Sequence, residues 1–378
     1  MGKGADVMAD PLSKLVVYGS PGKYIQGAGA LAHLGACVAQ LGGRDGTCIL
    51  LDAGVQFLRN ELETSLQAKD VPYLIKVFGG DVRFKVADRI ASEASSTGTG
   101  AVVVGVGGGK TLDMSKMVRH RVGGANVIVP TIAATDAPTS HSAVAMDDQD
   151  QVSVEHYRSN PDLVLVDSEV IVRAPVRYFV SGIGDAISKK YEVRAAHAVG
   201  ETNFFGGRSA FFVDPLLNIC YQALLDHGYE AMCSVKRHQA NESVETTIAA
   251  TVLLSGLLFE NGGLVGAHSI ANVLVNAGYG VQNLHGELVA AGLMLQLILE
   301  DQPTAEREEL ERFYARVGLP LCLSDLGIDT GNAETVGHLS EQIKARLAKH
   351  DFHRSDAIIS EAIRMLEVLK SERHSRVE

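Results

Sequence analysis

Asp185, His268 and His285 are residues of this 378-residue chain whose types suit them to hold a divalent cation. A catalytic site of that kind takes nitrogen and oxygen ligands and keeps one position open, and its ligands need not be neighbours in sequence. Asp185 follows Ser-Gly-Ile-Gly and reads as the start of the helix DAISKKYEVRAA. His268 lies among small residues in NGGLVGAHSIANVLV, and His285 precedes Gly286 and Glu287 at the head of LVAAGLMLQLILE. Each has a plainer reading beside the metal one: Asp185 as an N-cap, His268 as a satisfied core histidine, His285 as a capping residue. Spacing by itself does not select these two among the 13 histidines.

A second constellation is GVGGGKTLD at 105–113, which leaves an apolar run and enters a helical one. That arrangement points free backbone N–H groups and the positive end of a helix dipole at an anion, so a phosphate or pyrophosphate fits there. Gly108 and Gly109 permit close backbone approach, Lys110 adds a cation, and Asp113 is expected in the first helical turn. The motif is not GxGxxG, which fails at Lys110, nor a Walker A loop, which needs one more residue between its glycines than separates Gly105 from Gly109. Asp52 ends the run CILLD, the place where dinucleotide folds set an acid on the adenosine ribose, though many strands end in an Asp that only starts a turn.

The elements that must position these residues change character along the chain. Up to about residue 170, short β-branched runs (15–19, 48–52, 73–78, 101–106, 126–130, 163–167) alternate with helical patterns, the signature of parallel α/β units. The runs are continuously apolar, which implies a sheet covered on both faces. Beyond that, helical periodicity takes over to the end. The fold class expected is α/β, an N-terminal nucleotide-binding domain with a parallel sheet (1–174) plus a C-terminal all-helical domain (175–378) that holds the metal.

Composition narrows the partners. The net charge of −11 repels a nucleic-acid backbone. Five scattered cysteines with no CxxC pair indicate neither a disulfide framework nor a thiolate zinc site, and fit a reducing cytoplasm. Residues 1–14 contain no apolar leader core, and the apolar stretch 248–259 is too short to cross a bilayer, so no membrane partner is expected.

Six ordered motifs carry a resemblance: SPGKYIQGAGAL (20–31), GVGGGKTLD (105–113), PTIAATDAPTS (130–140), SGIGDAISKKYEVRA (181–195), ENGGLVGAHSIAN (260–272) and LHGELVAAG (284–292). Together they resemble the bacterial glycerol dehydrogenases of the group III, metal-dependent alcohol dehydrogenase family, over about residues 15–320. The resemblance implies a dehydroquinate synthase-like architecture, NAD as cofactor and a homo-oligomer. It assigns Asp185, His268 and His285 as Zn2+ ligands, Gly108, Gly109 and Lys110 to the cofactor phosphates, and Asp52 to the ribose. Thr131 and Ser140 become further cofactor contacts, and Asp136 the residue that hydrogen-bonds the substrate hydroxyl. Iron-dependent relatives carry a further histidine four residues after the metal-binding aspartate. Here that place is Lys189, which favours a three-ligand zinc site.

The chain departs from the family after TDAP, where His141, Ser142 and Met146 replace an alanine, a leucine and a tyrosine in the wall beside nicotinamide and substrate. His141 is a candidate proton relay there. The chemistry implied is oxidation of a small polyol, with glycerol to dihydroxyacetone as the expected reaction: a bound zinc lowers the hydroxyl pKa and NAD accepts the hydride. The competing readings are a dehydrogenase of another diol or of phosphorylated glycerol, and a cyclising lyase resembling dehydroquinate synthase. A phosphorylated substrate needs a basic pocket, whereas Lys189, Lys190 and Arg194 read as helix-face residues.

Overall fold

The computed structural model describes residues 12–377, so most of the leader reading lies outside the described residues. Eight strands are present among them: β1 (Tyr24–Gly27), β2 (Thr47–Asp52), β3 (Tyr73–Phe78), β4 (Val102–Gly107), β5 (Ala125–Pro130), β6 (Ser142–Met146), β7 (Val152–His156) and β8 (Leu163–Asp167). Six form one sheet in the order β1-β8-β5-β4-β2-β3, every pair parallel. Side chains of a strand point alternately to its two faces, and both faces are buried. Ile49, Leu51, Val104 and Val127 pack on one side with Leu31, Leu34, Leu62 and Leu66. Cys48, Leu50 and Val103 pack on the other with Ile90, Met114 and Met117.

The chain runs outward from β2 to β3, jumps back to β4, then proceeds the opposite way to β5. The reversal lies between β2 and β4, and ligands of open parallel sheets bind at the carboxyl ends of the strands flanking such a point. Asp52 ends β2, and Gly107 ends β4.

Two parts of the strand reading differ. LVVYG at 15–19 forms no strand; Val16 makes only an isolated bridge with Arg208. The strand on that side of the sheet is instead YIQG, a half-buried edge of four residues that hydrophobic periodicity does not flag. The segment 142–156 is an antiparallel hairpin, β6 with β7, pairing Ser142 with His156 and Met146 with Val152. Its arms, SAVAM and VSVEH, have five residues each and no continuous β-branched run, which hides them among loops.

Packing divides the chain into two interleaved units. The sheet unit comprises Ser20–Ala186 and Gln222–Gly256, and the helical unit, among the described residues, 12–19, Ile187–Tyr221 and 257–377. The change of texture at 174/175 marks where strands stop, whereas the units are cut by packing. The helix Val176–Ala198 runs unbroken through Ala186. In the helical unit, Ala267–Leu274 packs against His285–Leu299. Gly292 allows the approach, since a methyl there would lie 2.7 Å from the Ala267 carbonyl oxygen.

The apolar stretch 248–259 continues at both ends into the helical segment Glu242–Gly262, which by length and composition could cross a bilayer. Half of it is buried, and it carries Glu260 and Asn261 with no exposed surface, as a core helix does.

Candidate functional site

Asp185 stands in the middle of the helix Val176–Ala198, not at its start, so the N-cap reading is wrong. The run SGIG is helical because the backbone of 133–134 lies against it: a methyl on Gly182 would fall 2.0 Å from the Ala133 carbonyl oxygen. Glycine normally weakens a helix interior, and here the close packing outweighs that cost. Asp185 is buried, His268 half-buried and His285 exposed. One ligand atom from each lies within 4.8 Å of the other two.

His268 occupies the first turn of Ala267–Leu274, where Gln296 accepts the Ala267 N–H at 2.8 Å. Its Nδ1 lies 2.6 Å from Glu192, which also accepts its backbone N–H at 2.7 Å. With Nδ1 as donor, Nε2 keeps its lone pair, the arrangement in which a carboxylate fixes the tautomer of a metal-binding histidine. Glu192 is fully buried and also accepts from Ser188. Burial alone would raise its carboxyl pKa, but the His268 ring and the Lys189 ammonium outweigh that and hold it below its ordinary value. His285 is the first residue of His285–Leu299, after Leu284, whose N–H is taken by Glu287 at 2.7 Å. It is therefore not the cap.

Lys189 is not a helix-face residue. It has no exposed surface, and its Nζ lies 3.5 Å from His268 Nε2. Lys190 is nearly buried too, its ammonium 3.8 Å from the Tyr221 ring centre and 3.5 Å from Glu306. Of the three, only Arg194 fits the surface reading, bonded to Asn218 in an exposed contact. Sequence reasoning missed Glu192 altogether, although a signal was available. Asp185, Lys189 and Glu192 are spaced i, i+4, i+7 on a helix with many apolar residues, which puts three ionisable groups on one face.

A metal has a fitting set of donors here. A tetrahedral ion with bonds of about 2.0–2.2 Å spaces its ligand atoms roughly 3.4 Å apart, inside the 4.8 Å that bounds this group. The exposure of His285 leaves the set accessible to a small molecule.

In the sheet unit, the carboxyl ends of β2 and β4 meet. Asp52 accepts from Thr111 Oγ1 at 2.7 Å and from the Gly54 N–H at 2.8 Å, so it both starts a turn and abuts the glycine loop. A side chain at Gly107 would strike Asp52 Cβ at 2.6 Å, which explains glycine there. Gly108 is the N-cap of Gly109–Val122 with no side chain to cap it. Thr131 is buried and donates its N–H to Gly107 O at 3.0 Å. Lys110 reaches sideways to Asp81 at 3.0 Å in an exposed ion pair, and such pairs have little net worth, so exchange for a phosphate is cheap. Asp113 is not in the first turn; it is buried one turn on and bonds Lys116 and the Val144 N–H. A cavity of about 450 Å³ lined by Phe78, Gly79, Asp81 and Arg89 opens beside that loop.

Asp136 is half-buried, with Ser255 donating to its Oδ2 at 3.1 Å. Ser255 follows a π-helical turn, Ala249–Leu254. Such turns displace carbonyls from the α-helical ladder, and Val252 O accepts from Thr139 Oγ1 at 3.1 Å. The hydroxyl of Ser140 is engaged by Lys116 and that of Ser142 by His156 Nδ1, while Met146 ends β6 with its N–H on Val82 O. His141 is buried, its ring centre 5.2 Å from that of His156.

Comparison with known proteins agrees with this architecture. The iron-containing alcohol dehydrogenase family pattern matches residues 21–168. The chain is 38% identical to a glycolaldehyde reductase of Halobacterium salinarum over 82% of this chain and 85% of that one. It is 36% identical to a glycerol dehydrogenase of Escherichia coli over 82% and 84%. Its fold is similar to the solved glycerol dehydrogenase of Schizosaccharomyces pombe, with a TM-score of 0.89 and 31% identity over 97% of this chain and 94% of that one.

Proposed function

The chain belongs to the iron-containing alcohol dehydrogenase family, and from that premise we propose that it oxidises a small polyol, glycerol in the first instance, with NAD as hydride acceptor and zinc as the metal. The observation that carries this reading is the clustering of Asp185, His268 and His285. These three would hold the ion, which when bound supplies a Lewis acid that lowers the pKa of a substrate hydroxyl. A vicinal diol offers two oxygens to such a site, and two-point attachment fixes the carbinol carbon.

The remaining residues bind and orient. Gly108, Gly109 and Lys110 take the cofactor pyrophosphate, Asp52 its ribose, and the cavity beside Phe78 the adenosine end. Thr131, Ser140, Ser142 and Met146 belong to the wall along the cofactor. An acid at Asp52 repels a 2′-phosphate, which favours NAD over NADP. Asp136, steadied by Ser255, accepts the hydrogen bond of the reacting hydroxyl, and His141 passes the released proton on.

Glu192 tunes the metal through His268. Glu192→Gln is expected to weaken zinc binding about 10- to 100-fold, read by competition with a chromogenic chelator, with NADH affinity unaltered.

Lys189 favours a second reading, an alcohol that also carries a carboxylate or phosphate, because it brings a buried cation to within 3.5 Å of His268. The kcat/KM values for glycerol, glycerate and glycerol phosphate separate the two. Stoichiometric NADH formation from glycerol supports the first, and turnover without net reduction of NAD would exclude both in favour of a lyase.

A further inference from the structure

The sheet unit contains a lysine that no motif singles out by role. Lys116 lies on Gly109–Val122, the helix that the glycine loop opens, and is 3% exposed. A buried ammonium is tolerated only when its protons are bonded. This one reaches Ala137 O at 2.6 Å, Ser142 O at 2.8 Å, Ser140 Oγ at 3.0 Å and Asp113 at 3.3 Å. Three of those four acceptors belong to 137–142, the segment that follows Asp136. The fourth, Asp113, lies one turn back on the same helix and accepts the Val144 N–H of β6 at 3.0 Å. One helix thus grips both the segment and the hairpin after it, while its amino end forms the glycine loop.

We propose that Lys116 is a positioning residue, which fixes the 136–142 segment on the nucleotide-loop helix and so sets where Asp136 meets the substrate hydroxyl. The proposal rests on the reading of Asp136 given above. Lysine suits the task because its three protons radiate from one atom toward acceptors on three sides. Methionine, of similar length, leaves the Ala137 and Ser142 carbonyls without this donor in the interior. The nucleotide loop has its own supports, Thr111 on Asp52 and the Thr131 N–H on Gly107, so loss of Lys116 leaves the cofactor's pyrophosphate and ribose held, disturbs the cofactor only through Ser140 and Ser142, and acts mainly on the substrate.

The test compares Lys116→Met, Lys116→Arg and Asp136→Asn as full-length enzyme. Lys116→Met is expected to lower kcat/KM for the diol about 10- to 100-fold, the scale of an ångström-sized misplacement, and to lower NADH affinity far less, by no more than about fivefold, the worth of one disturbed hydrogen bond on the cofactor wall. Backbone amides of 137–144 should exchange faster with solvent deuterium, and Lys116→Arg, which keeps charge and donors, should recover most of the loss. A folded Lys116→Met enzyme with wild-type kcat/KM, or one whose NADH affinity falls as far as its kcat/KM, overturns the proposal. If Lys116→Met does not fold, Lys116→Arg is judged by the same split: its partial defect must fall more heavily on the diol than on NADH. If Asp136→Asn leaves turnover unchanged, the reading of Asp136 fails instead.

Discussion

Asp185→Asn is expected to abolish most turnover, lowering kcat/KM for the diol by about 10³-fold or more. The side chain keeps its size, so packing is preserved, but an anionic ligand becomes a neutral amide. Metal assistance contributes several kcal/mol to the barrier, and each 1.4 kcal/mol is tenfold in rate. Asp185 is buried in mid-helix with no capping role to lose. The thermal midpoint of the metal-free variant should therefore stay near that of metal-free wild type. Zinc should raise the wild-type midpoint, because a ligand that binds only the folded state stabilises it, and should leave the variant's unmoved. Metal content after dialysis and a thermal scan with and without zinc check both halves.

Asp136→Ala is expected to cost about 10²- to 10³-fold in kcat/KM, within the range for a group that handles a proton in the transition state. The loss should fall on the diol, with NADH affinity retained, because the glycine loop keeps its own supports, Thr111 on Asp52 and the Thr131 N–H on Gly107. Steady-state kinetics with NADH titration by fluorescence separates the two. Ser255→Ala should give a smaller loss of the same kind.

Legibility followed local chemistry. The run from β4 through the glycine loop into Gly109–Val122 is local, and its apolar strand, glycines and helix could be read residue by residue. Asp52 could be placed at a strand end, but its bond to Thr111 59 residues away could not. The start of the helix around Asp185 is hidden in the sequence because two glycines look like a break until Ala133 is seen against Gly182. Lysines are expected at the surface, and Lys116 and Lys189 are hidden for opposite reasons. Lys116 finds carbonyls from a distant segment, and Lys189 faces His268, 79 residues on. The hairpin at 142–156 is not legible because each of its arms has only five residues. As for the metal group, residue type made it plausible and family resemblance selected it; the packing of Ala267–Leu274 on His285–Leu299 supplies the physical reason His268 and His285 meet.

The most direct test of the account is the metal titration of fully dialysed enzyme, following NADH formation over glycerol, propanediols, butanediol and simple alcohols. Negligible activity without metal is expected, with recovery that saturates at one zinc per chain. Vicinal diols should show higher kcat/KM than simple alcohols, and Asp185→Asn should show no recovery. Full activity on diols in the metal-free enzyme, or no zinc-dependent activity on any vicinal diol, would contradict it.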